Sequence, residues 1–492
     1  MTNLSDLFPA GAGKQVSFVA DGAISAAGKP VILNGAGTVT PVGLGPGSGE
    51  VGTPVVFESA ATEWTAAAFD SNSNKVVIAY EDVGNSSYGT AVVGTVSGTS
   101  ISWGTPVIFE SASVSAYGLG ATFDSNSNKV VIAYSDVGNS TYGTGIVGTV
   151  SGTAISFGTA VVFNSATTYY SNVTFDSDSN KVVIAYRDGG NSYHGYGIVG
   201  TVSGTAISYG TGVVFESASA KWFGVTFDST ANKVVISYQD EDNSSYGTGV
   251  VGTVSGTAIS FGSATVYASG TTSYTSACYD SANDKTVIAY RNESDGSKGT
   301  AVVGTVSGTG ISFGTPVAFT TGPLRATPLA NTYDVTTERA VISYSDGDDS
   351  DKGKSVFGTV SGTTISFAAA VVFESGETQY ISSALDSNSN KVVIAYQDDS
   401  NSDYGTGVVY SATASNMTAA NFIGISDAAI LDTASGNVTI KGGIAATGLT
   451  SLTPGSDYYA QGDGTISTVS TGSAVKIGKA MSATSINLEY QS

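Results

Sequence analysis

One sequence phrase recurs seven times in the middle of this chain, and its copies keep a nearly constant spacing. Each copy is anchored by an aspartate, and successive anchors lie 52 or 54 residues apart. The anchors, which define repeats 1 to 7, are Asp70, Asp124, Asp176, Asp228, Asp280, Asp334 and Asp386. A fixed period of about 50 residues with several short strands per unit is typical of β-propeller blades, whereas solenoid repeats are usually shorter. The repeat therefore predicts a closed ring of seven blades.

Within one repeat, the residue pattern predicts four β-strands. In repeat 3 these are residues 172–177, 181–186, 196–203 and 206–215. Residues 181–186, KVVIAY, are apolar on both faces, as expected for a strand that stacked sheets cover on both sides. The DSDSN turn before this strand carries Asp and Asn side chains that can cap their own backbone. We therefore expect an Asx-type turn after each anchor.

The two ends of the repeat region predict how the ring closes. In repeat 7 the hairpin sequence degrades to VVYSATAS at residues 408–415. An extra copy of the strand that follows this hairpin, GTPVVFESA, lies before the first anchor at residues 52–60. We therefore predict that residues 53–57 pair with the last repeat and complete its blade.

Composition disfavours several classes of partner. The chain has 63 glycines and only 12% charged residues among 492, which indicates a turn-rich, all-β protein. Its net charge of −21 makes nucleic acid and anionic membrane surfaces poor partners. No apolar run reaches 18 residues and the N-terminal sequence has no signal-peptide core, so we expect no membrane insertion. The single cysteine, Cys278, is expected to be a buried core residue.

The residues outside the repeats form two flanks that are similar to each other. Residues 28–42, GKPVILNGAGTVTPV, align without gaps on residues 455–469, GSDYYAQGDGTISTV, and three glycines coincide. Residues 422–429 are similar to residues 476–483 in the same way. We predict a seven-bladed β-propeller, residues 49–415, inserted into a small split, duplicated β-domain formed by residues 1–48 and 416–492. Insertion at a loop suits a propeller, because ring closure brings the propeller's own ends together.

The flanks carry one family resemblance. The phrases are AAGKPVILNGAGTVTPV, FIGISDAAI, GNVTIKGG and VKIGKAMSATSINL. They resemble the flanking domains of tailed-bacteriophage virion proteins of the capsid-decoration and fibre types. The resemblance implies a structural protein at the virion surface that displays its propeller outward. It also implies other virion proteins of the capsid or tail as partners, and a multicopy or homo-oligomeric state on the particle.

Several kinds of catalytic and metal site fit this sequence poorly. The DSNSN turn is similar to a calcium-binding loop, but its sixth position is Lys or Arg rather than Gly. Residues 134–143 faintly resemble the Asp-box of sialidase propellers, yet the chain has only four arginines, and Arg187 and Arg291 occupy equivalent positions in separate repeats. The single histidine, His194, leaves a Ser-His-Asp triad unsupported, and no carboxylate pair stands out from the repeat. We therefore expect no enzyme activity, no metal and no cofactor.

The repeats differ most in segments that we expect to be loops on one face of the ring: residues 59–63, 111–116, 165–168, 217–221, 269–273, 320–328 and 375–379. Six repeats carry an aromatic residue six or seven positions before the anchor, and further polar or aromatic side chains follow the anchor by 18 positions. The candidate ligand-binding residues from these two sets are Trp64, Tyr117, Tyr170, Trp222, Tyr274, Tyr380, His194 and Tyr246. Aromatic rings at a rim can stack on the apolar faces of sugars. Alternatively they fill the gaps between blades, and their regular repetition favours packing.

Together these observations predict a phage structural protein that displays a propeller for adhesion to glycans of the host surface. Two alternatives remain open. The propeller of a purely structural decoration protein would stabilise the capsid, and a depolymerase would cut host polysaccharide. A cleft with two close carboxylates would favour the depolymerase, whereas a smooth face without a pocket would favour decoration.

Overall fold

The computed structural model describes residues 15–21, 23–35, 37–42, 50–411, 417, 420–461, 464–468 and 474–489, with backbone only for residues 115–117. The chain is all-β over these residues, and the described helices are single 3-10 turns at Val83–Asn85, Val137–Asn139, Glu293–Asp295 and Asp399–Asn401. None of them has the length or apolar character of a membrane-spanning helix. The chain divides into two compact units, one within residues 51–411 and one drawn from residues 1–50 and 412–492.

Long strands that join neighbouring sheets dominate the larger unit. In Val161–Asp176, for example, Val161 pairs with Gly145 of repeat 2, whereas Asp176 pairs with Lys181 of repeat 3. One strand therefore forms the outer edge of one sheet and the inner edge of the next. The long strands are Val55–Asp70, Val107–Asp124, Val161–Asp176, Val213–Asp228, Thr265–Asp280 and Val371–Asp386, and repeat 6 has Val317–Pro323 and Ala330–Asp334 instead.

The expectation that the variable segments are loops is therefore wrong for six of the seven repeats. In repeat 1, Thr62 and Glu63 pair with Asp82 and Glu81, so this segment continues the strand. Only repeat 6 breaks, between the two parts of its long strand. This break contains Pro328 and follows Pro323, and proline cannot donate a backbone hydrogen bond to a sheet.

Two further strands and a short outer strand complete each sheet. The second strands are Lys75–Asp82, Lys129–Asp136, Lys181–Asp188, Lys233–Asp240, Lys285–Asn292, Arg339–Asp346 and Lys391–Asp398. The third strands are Tyr88–Ser97, Tyr142–Ser151, His194–Ser203, Tyr246–Ser255, Lys298–Ser307, Lys352–Ser361 and Tyr404–Ser411. The short outer strands are Ser100–Trp103, Ala154–Phe157, Ala206–Tyr209, Ala258–Phe261, Gly310–Phe313 and Thr364–Phe367, and Glu50–Val51 pairs beside the last third strand.

The second strand of each sheet is buried on both faces because neighbouring sheets pack against each other. Val182, Val183, Ile184 and Ala185 are all 0% exposed. Val182 and Ile184 pack in one apolar cluster with Val131 of repeat 2, whereas Val183 and Ala185 pack in another with residues of repeat 4. The apolar pattern of KVVIAY thus reflects burial between two sheets.

The strand pairing closes between the first and last repeats, as predicted. Val55 pairs with Gly407 and Val56 pairs with Thr406 of the last third strand. The segment before the first anchor therefore supplies the outer strand that repeat 7 lacks, and this closure leaves no unpaired edge at that point.

The smaller unit contains two five-stranded antiparallel sheets. In spatial order, the strands of the first are Gln15–Val19, Ser435–Ile440, Phe422–Ser426, Pro30–Leu33 and Val39–Pro41. Those of the second are Ile444–Ala445, Ser485–Leu488, Val475–Ser482, Asp457–Ala460 and Ile466–Ser467. Numbered along the chain, both sheets have the order 1-5-4-2-3.

Matching glycines of the two flanks also share an unusual backbone conformation. Gly28 and Gly455 have φ angles of 81° and 82°, and Gly37 and Gly464 have 83° and 77°. Glycine adopts these left-handed angles without the steric cost that a Cβ would bring. The aligned glycines thus mark equivalent turns. The first sheet also joins both ends of the chain, because Val31 pairs with Gly424.

Candidate functional site

The inner strands of all seven repeats surround one cavity in the larger unit. Its volume is about 210 Å³. The cavity is lined by residues 64–67, 118–121, 170–172, 222–223, 274–276, 328–331 and 380–383. Five of the eight candidate residues are among them, namely Trp64, Tyr170, Trp222, Tyr274 and Tyr380. We call these five half-buried side chains the aromatic collar.

Every residue of the aromatic collar has a left-handed backbone conformation. Their φ angles are 48° for Trp64, 54° for Tyr170, 58° for Trp222, 52° for Tyr274 and 48° for Tyr380. Such angles are rare for bulky side chains. Each lies at a β-bulge, where the pairing in repeat 4, for example, skips from Lys221–Gln239 to Gly224–Ser237. The bulge interrupts the regular alternation of side chains along the strand, and the aromatic side chain at the bulge therefore lines the cavity.

The rings of the collar contact one another across neighbouring repeats. The ring centroids of Trp222 lie 4.1 Å from those of Tyr274 and 4.7 Å from those of Tyr170. Trp64 and Tyr380 form a second group with centroids 4.9 Å apart. All three pairs are tilted, a geometry that aromatic pairs favour over a face-to-face sandwich. The collar therefore consists of a trio and a pair.

Hydroxyl groups behind the collar connect adjacent repeats. The Thr65 hydroxyl donates to the backbone oxygen of Tyr380 at 2.5 Å and lies 2.8 Å from the Ser382 hydroxyl. The Thr275 hydroxyl donates in the same way to the backbone oxygen of Trp222. The bulge leaves the carbonyl of a collar residue outside its own ladder, where the next repeat can use it. The collar conformation thus serves packing between blades as well as cavity lining.

Two repeats depart from this pattern. Repeat 6 has Pro328 at the collar position. In repeat 2, two extra residues place Gly118 at the cavity, whereas Tyr117 precedes it by one position and its side chain lies outside the described residues. A Cβ at Gly118 would lie 2.5 Å from the backbone nitrogen of Ser171, so the two repeats pack too closely there for any side chain. Gly118 lies six positions before the anchor Asp124, as the collar residues do before their own anchors. The sequence prediction allowed six or seven positions and therefore selected Tyr117 instead.

The other two candidates do not line the cavity. His194 and Tyr246 begin the third strands of repeats 3 and 4, where they pair with Asp188 and Asp240. Both side chains are partly exposed. They therefore lie at the starts of the third strands and not at the collar.

Charged side chains near the collar are paired with one another. The Arg187 guanidinium lies 2.7 Å from the Glu241 carboxylate, which Lys221 approaches to 2.6 Å. Burial acts to raise the pKa of Glu241, but hydrogen bonds from Lys221 and Ser219 and the two positive charges lower it overall. Sequence reasoning missed this pairing, because each ion pair joins separate parts of the chain.

Two of the other arginines, Arg291 and Arg325, are also engaged by acids. Arg291 pairs with Glu293. Arg325 lies 2.9 Å from Asp399 and 3.7 Å from Asp351. These guanidinium groups are thus held by carboxylates of the protein itself.

One collar residue, Tyr380, is hydrogen-bonded to an acid, Glu63. Burial, followed by the charge of Glu63 and its hydrogen bond, raises the pKa of Tyr380 far above its ordinary value. Burial raises the pKa of Glu63 as well, although its hydrogen bond with Tyr380 opposes this. Tyr380 is therefore a neutral phenol that donates to Glu63 under ordinary conditions.

The anchor turns adopt the Asx geometry that the sequence predicts. The Asp70 carboxylate accepts hydrogen bonds from the backbone nitrogens of Asn72 and Ser73 at 2.9 and 3.0 Å. The Asp124 carboxylate accepts the same two hydrogen bonds in repeat 2. Within the described residues, no group of three His, Cys, Asp or Glu side chains is placed to hold a metal ion.

The fold resembles known structures, although the sequence matches no known protein family and no curated protein. A lectin from Burkholderia pseudomallei is 10% identical, with a TM-score of 0.55, covering 73% of this chain and 98% of the lectin. The NanB sialidase of Streptococcus pneumoniae is 11% identical, with a TM-score of 0.43 and coverages of 72% and 70%. A periplasmic gluconolactonase of Pseudomonas aeruginosa is 11% identical, with a TM-score of 0.47 and coverages of 73% and 96%.

At these identities the likeness concerns the fold alone, and it places the chain among all-β proteins of the β-propeller type. The comparison corrects one expectation from the sequence. The prediction that the chain is not an enzyme is wrong as a statement about this fold, because sialidases and a gluconolactonase are among the similar structures. Enzyme activity therefore has to be measured.

Proposed function

We propose that residues 51–411 form a seven-bladed β-propeller that binds carbohydrate through the aromatic collar. The observation that carries this proposal is the convergence of five aromatic side chains from five repeats on one cavity, all in a left-handed conformation. Rare backbone conformations of this kind cost free energy, and they concentrate at binding sites. Aromatic rings beside hydroxyl and amide groups are the usual lining of a sugar site, because the rings contact the apolar face of the sugar.

The seven-bladed count is supported by the seven anchors and by the strand pairing that joins repeat 7 to Val55 and Val56. The proposed insertion into a duplicated domain is supported by the shared 1-5-4-2-3 strand order of the flanking sheets. We further propose that the flanking domain attaches the protein to the surface of a phage particle, in several copies, so that the propeller faces the host. The phage-like phrases of the flanks motivate this part of the proposal.

A binding experiment tests the carbohydrate proposal. The purified chain and its Trp222→Ala variant are applied to a printed array of bacterial and other glycans. We expect the wild-type chain to bind a defined subset and the variant to bind it more weakly. Loss of one stacking aromatic costs about 1–3 kcal/mol by analogy with base stacking, which is roughly a five- to 150-fold loss of affinity. Equal binding by both proteins would exclude the collar as the site.

A second measurement separates binding from hydrolysis. The same glycans are incubated with the protein, and the release of reducing sugar is followed. Sustained release that depends on Glu63 or Tyr380 would replace adhesion by depolymerisation as the function of this site. For the virion part of the proposal, antibodies against the flanking domain should label intact particles of a phage that encodes the chain.

A further inference from the structure

Two positively charged side chains beside the collar share one carboxylate. The Arg187 guanidinium lies 2.7 Å from Glu241, and the Lys221 ammonium lies 2.6 Å from the same carboxylate. This group of three therefore has an excess of one positive charge, in a chain whose net charge is −21. We propose that the cavity takes a sugar that carries a carboxylate, and that Arg187 and Lys221 hold this carboxylate. This inference rests on the carbohydrate-binding function proposed above and specifies its ligand class.

The two positive groups lie next to the trio of the aromatic collar. The Arg187 guanidinium carbon is 5.7 Å from the ring centroid of Tyr170, which is a collar residue. Lys221 directly precedes Trp222, whose ring contacts that of Tyr170. A sugar ring stacked on Tyr170 or Trp222 can therefore direct a carboxylate substituent at the neighbouring positive charges.

Both positive groups keep hydrogen-bond donors that the protein does not use. Arg187 donates to Ser219 and Glu241 through Nη2. Its Nη1 atom makes no hydrogen bond within the described residues and, unlike Nε, is not fully buried. The Lys221 ammonium has three donor hydrogens and only one oxygen of Glu241 close to it. The side chains of Arg187 and Lys221 are 15% and 26% exposed, so a ligand can reach both.

Other acids of repeats 3 and 4 are bound within the protein or face solvent. The Asp188 carboxylate accepts a hydrogen bond from the backbone nitrogen two residues later, and Asp240 accepts one from the nitrogen three residues later. Glu216 accepts hydrogen bonds from a buried tyrosine and from the backbone. Asp242 is exposed, so salt screens its charge. Glu241 is therefore the acid that most directly opposes a ligand carboxylate, and two positive charges face it.

The corresponding groups of other repeats carry no such positive excess. Arg291 pairs with one acid, and Arg325 lies within ion-pair distance of three. In repeat 1, Glu63 occupies the position of Lys221 and pairs with a second acid across the strands. A carboxylate at the cavity is therefore attracted towards repeats 3 and 4 and repelled from repeat 1, which gives an acidic sugar a preferred orientation.

The test compares acidic and neutral sugars. The protein is titrated with the methyl glycosides of glucuronic acid, of glucose, which is the carboxyl-reduced counterpart of glucuronic acid, and of sialic acid. We expect the wild type to bind the acidic glycosides more tightly than the glucoside. Lys221→Met removes one positive charge, so it should weaken binding of the acidic glycosides roughly three- to tenfold, between the effects of an exposed ion pair and of a charged hydrogen bond. Its affinity for the glucoside should stay unchanged.

Two further variants separate a ligand site from a structural ion pair. Glu241→Gln releases both positive groups from their shared carboxylate. It should therefore strengthen binding of the acidic glycosides roughly three- to tenfold, although loss of the ion pairs lowers the melting temperature. Lys233→Met is the control, because it removes the same charge about 20 Å along the strand from Gln239, the residue that pairs with Lys221. This control should leave every affinity unchanged.

The outcomes separate this inference from the function on which it rests. Equal or tighter binding of the neutral glycoside would overturn the acidic ligand class and leave carbohydrate binding intact. If Lys221→Met and Glu241→Gln bound the acidic glycosides as the Lys233→Met control does, the positive pair would be structural and its role in binding would be overturned. Absence of binding to every glycoside and to the wider glycan array would overturn the proposed function, and this inference with it.

Discussion

Replacement of Trp222 by alanine and by glycine tests whether the collar conformation is strained. Trp222 has a φ of 58° and contacts two rings, Tyr170 and Tyr274. Both variants lose these contacts, which are worth about 0.5–1.5 kcal/mol each beyond simple burial, so we expect each to lose roughly 1–3 kcal/mol of unfolding free energy. The left-handed conformation costs a residue with a Cβ about 1–2 kcal/mol, a cost that glycine avoids. Glycine is also about 0.5–1 kcal/mol more costly to order than alanine. The glycine variant should therefore be the more stable of the two, by up to roughly 1.5 kcal/mol.

Denaturant unfolding of the two variants measures this difference through their midpoints at an unchanged slope. Tyr246 provides the control, because it is an aromatic residue that is paired in a strand and has no positive φ. There, Tyr246→Gly should be less stable than Tyr246→Ala by about 0.5–1 kcal/mol, the opposite sign. If Trp222→Gly were no more stable than Trp222→Ala, the collar would hold no backbone strain, and its left-handed conformation would give no support to a binding site there.

Three further perturbations test other parts of the structure. Deletion of residues 1–57 should lower the unfolding midpoint of the propeller more than deletion of residues 1–49. Only the longer deletion removes the pairing of Val55 and Val56 with repeat 7. Equal midpoints of the two deletion variants would contradict this closure. Gly118→Ala should destabilise the protein, since its Cβ would lie 2.5 Å from the Ser171 nitrogen, and a wild-type melting temperature would show that the neighbouring repeat can shift. Burial, and next the charge of Glu374, raises the pKa of Asp398 from 3.8 to about 6. The protonated Asp398 side chain therefore stabilises the fold below pH 3.8, and this stabilisation is lost as the pH rises through 6. Asp398→Asn should therefore flatten the fall in melting temperature between about pH 4 and pH 6, and an unchanged slope in that range would show that other acids cause it.

The sequence predicts the scaffold well because the scaffold is repeated. Each anchor is followed by similar turn residues and by a strand that is buried on both faces. Seven copies of the sequence therefore predict the same local structure. The all-β class, the Asx turns and the closing strand all follow from this redundancy. The variable segments were harder, because differences between copies are typical of loops. Here the variable segments lie within continuous strands. Strand pairs such as Thr62–Asp82 tolerate variation in the side chains, because backbone hydrogen bonds hold the two strands together.

The site was less predictable, because its key features depend on contacts between repeats. Tryptophan and tyrosine have no preference for left-handed angles, so the bulge that aims the collar inward has no local residue signal. The spacing did locate the aromatic residues, but it grouped them with His194 and Tyr246, which lie elsewhere. Exact alignment of the repeats on their anchors separates the collar residues from His194 and Tyr246. It also shows that Gly118 occupies the collar position of repeat 2.

Departures from the repeat make positions around this ring distinguishable. A ring of identical units would surround its axis with equivalent groups and would offer a ligand seven equal orientations. Repeats 2 and 6 break this equivalence, because they have Gly118 and Pro328 at the position where the other repeats have an aromatic collar residue. The two extra residues of repeat 2 lengthen its bulge, in which the pairing skips from Leu119–Tyr134 to Val114–Asp136. A ligand on the axis would therefore meet a different surface at repeats 2 and 6 from the aromatic rings of repeats 1, 3, 4, 5 and 7.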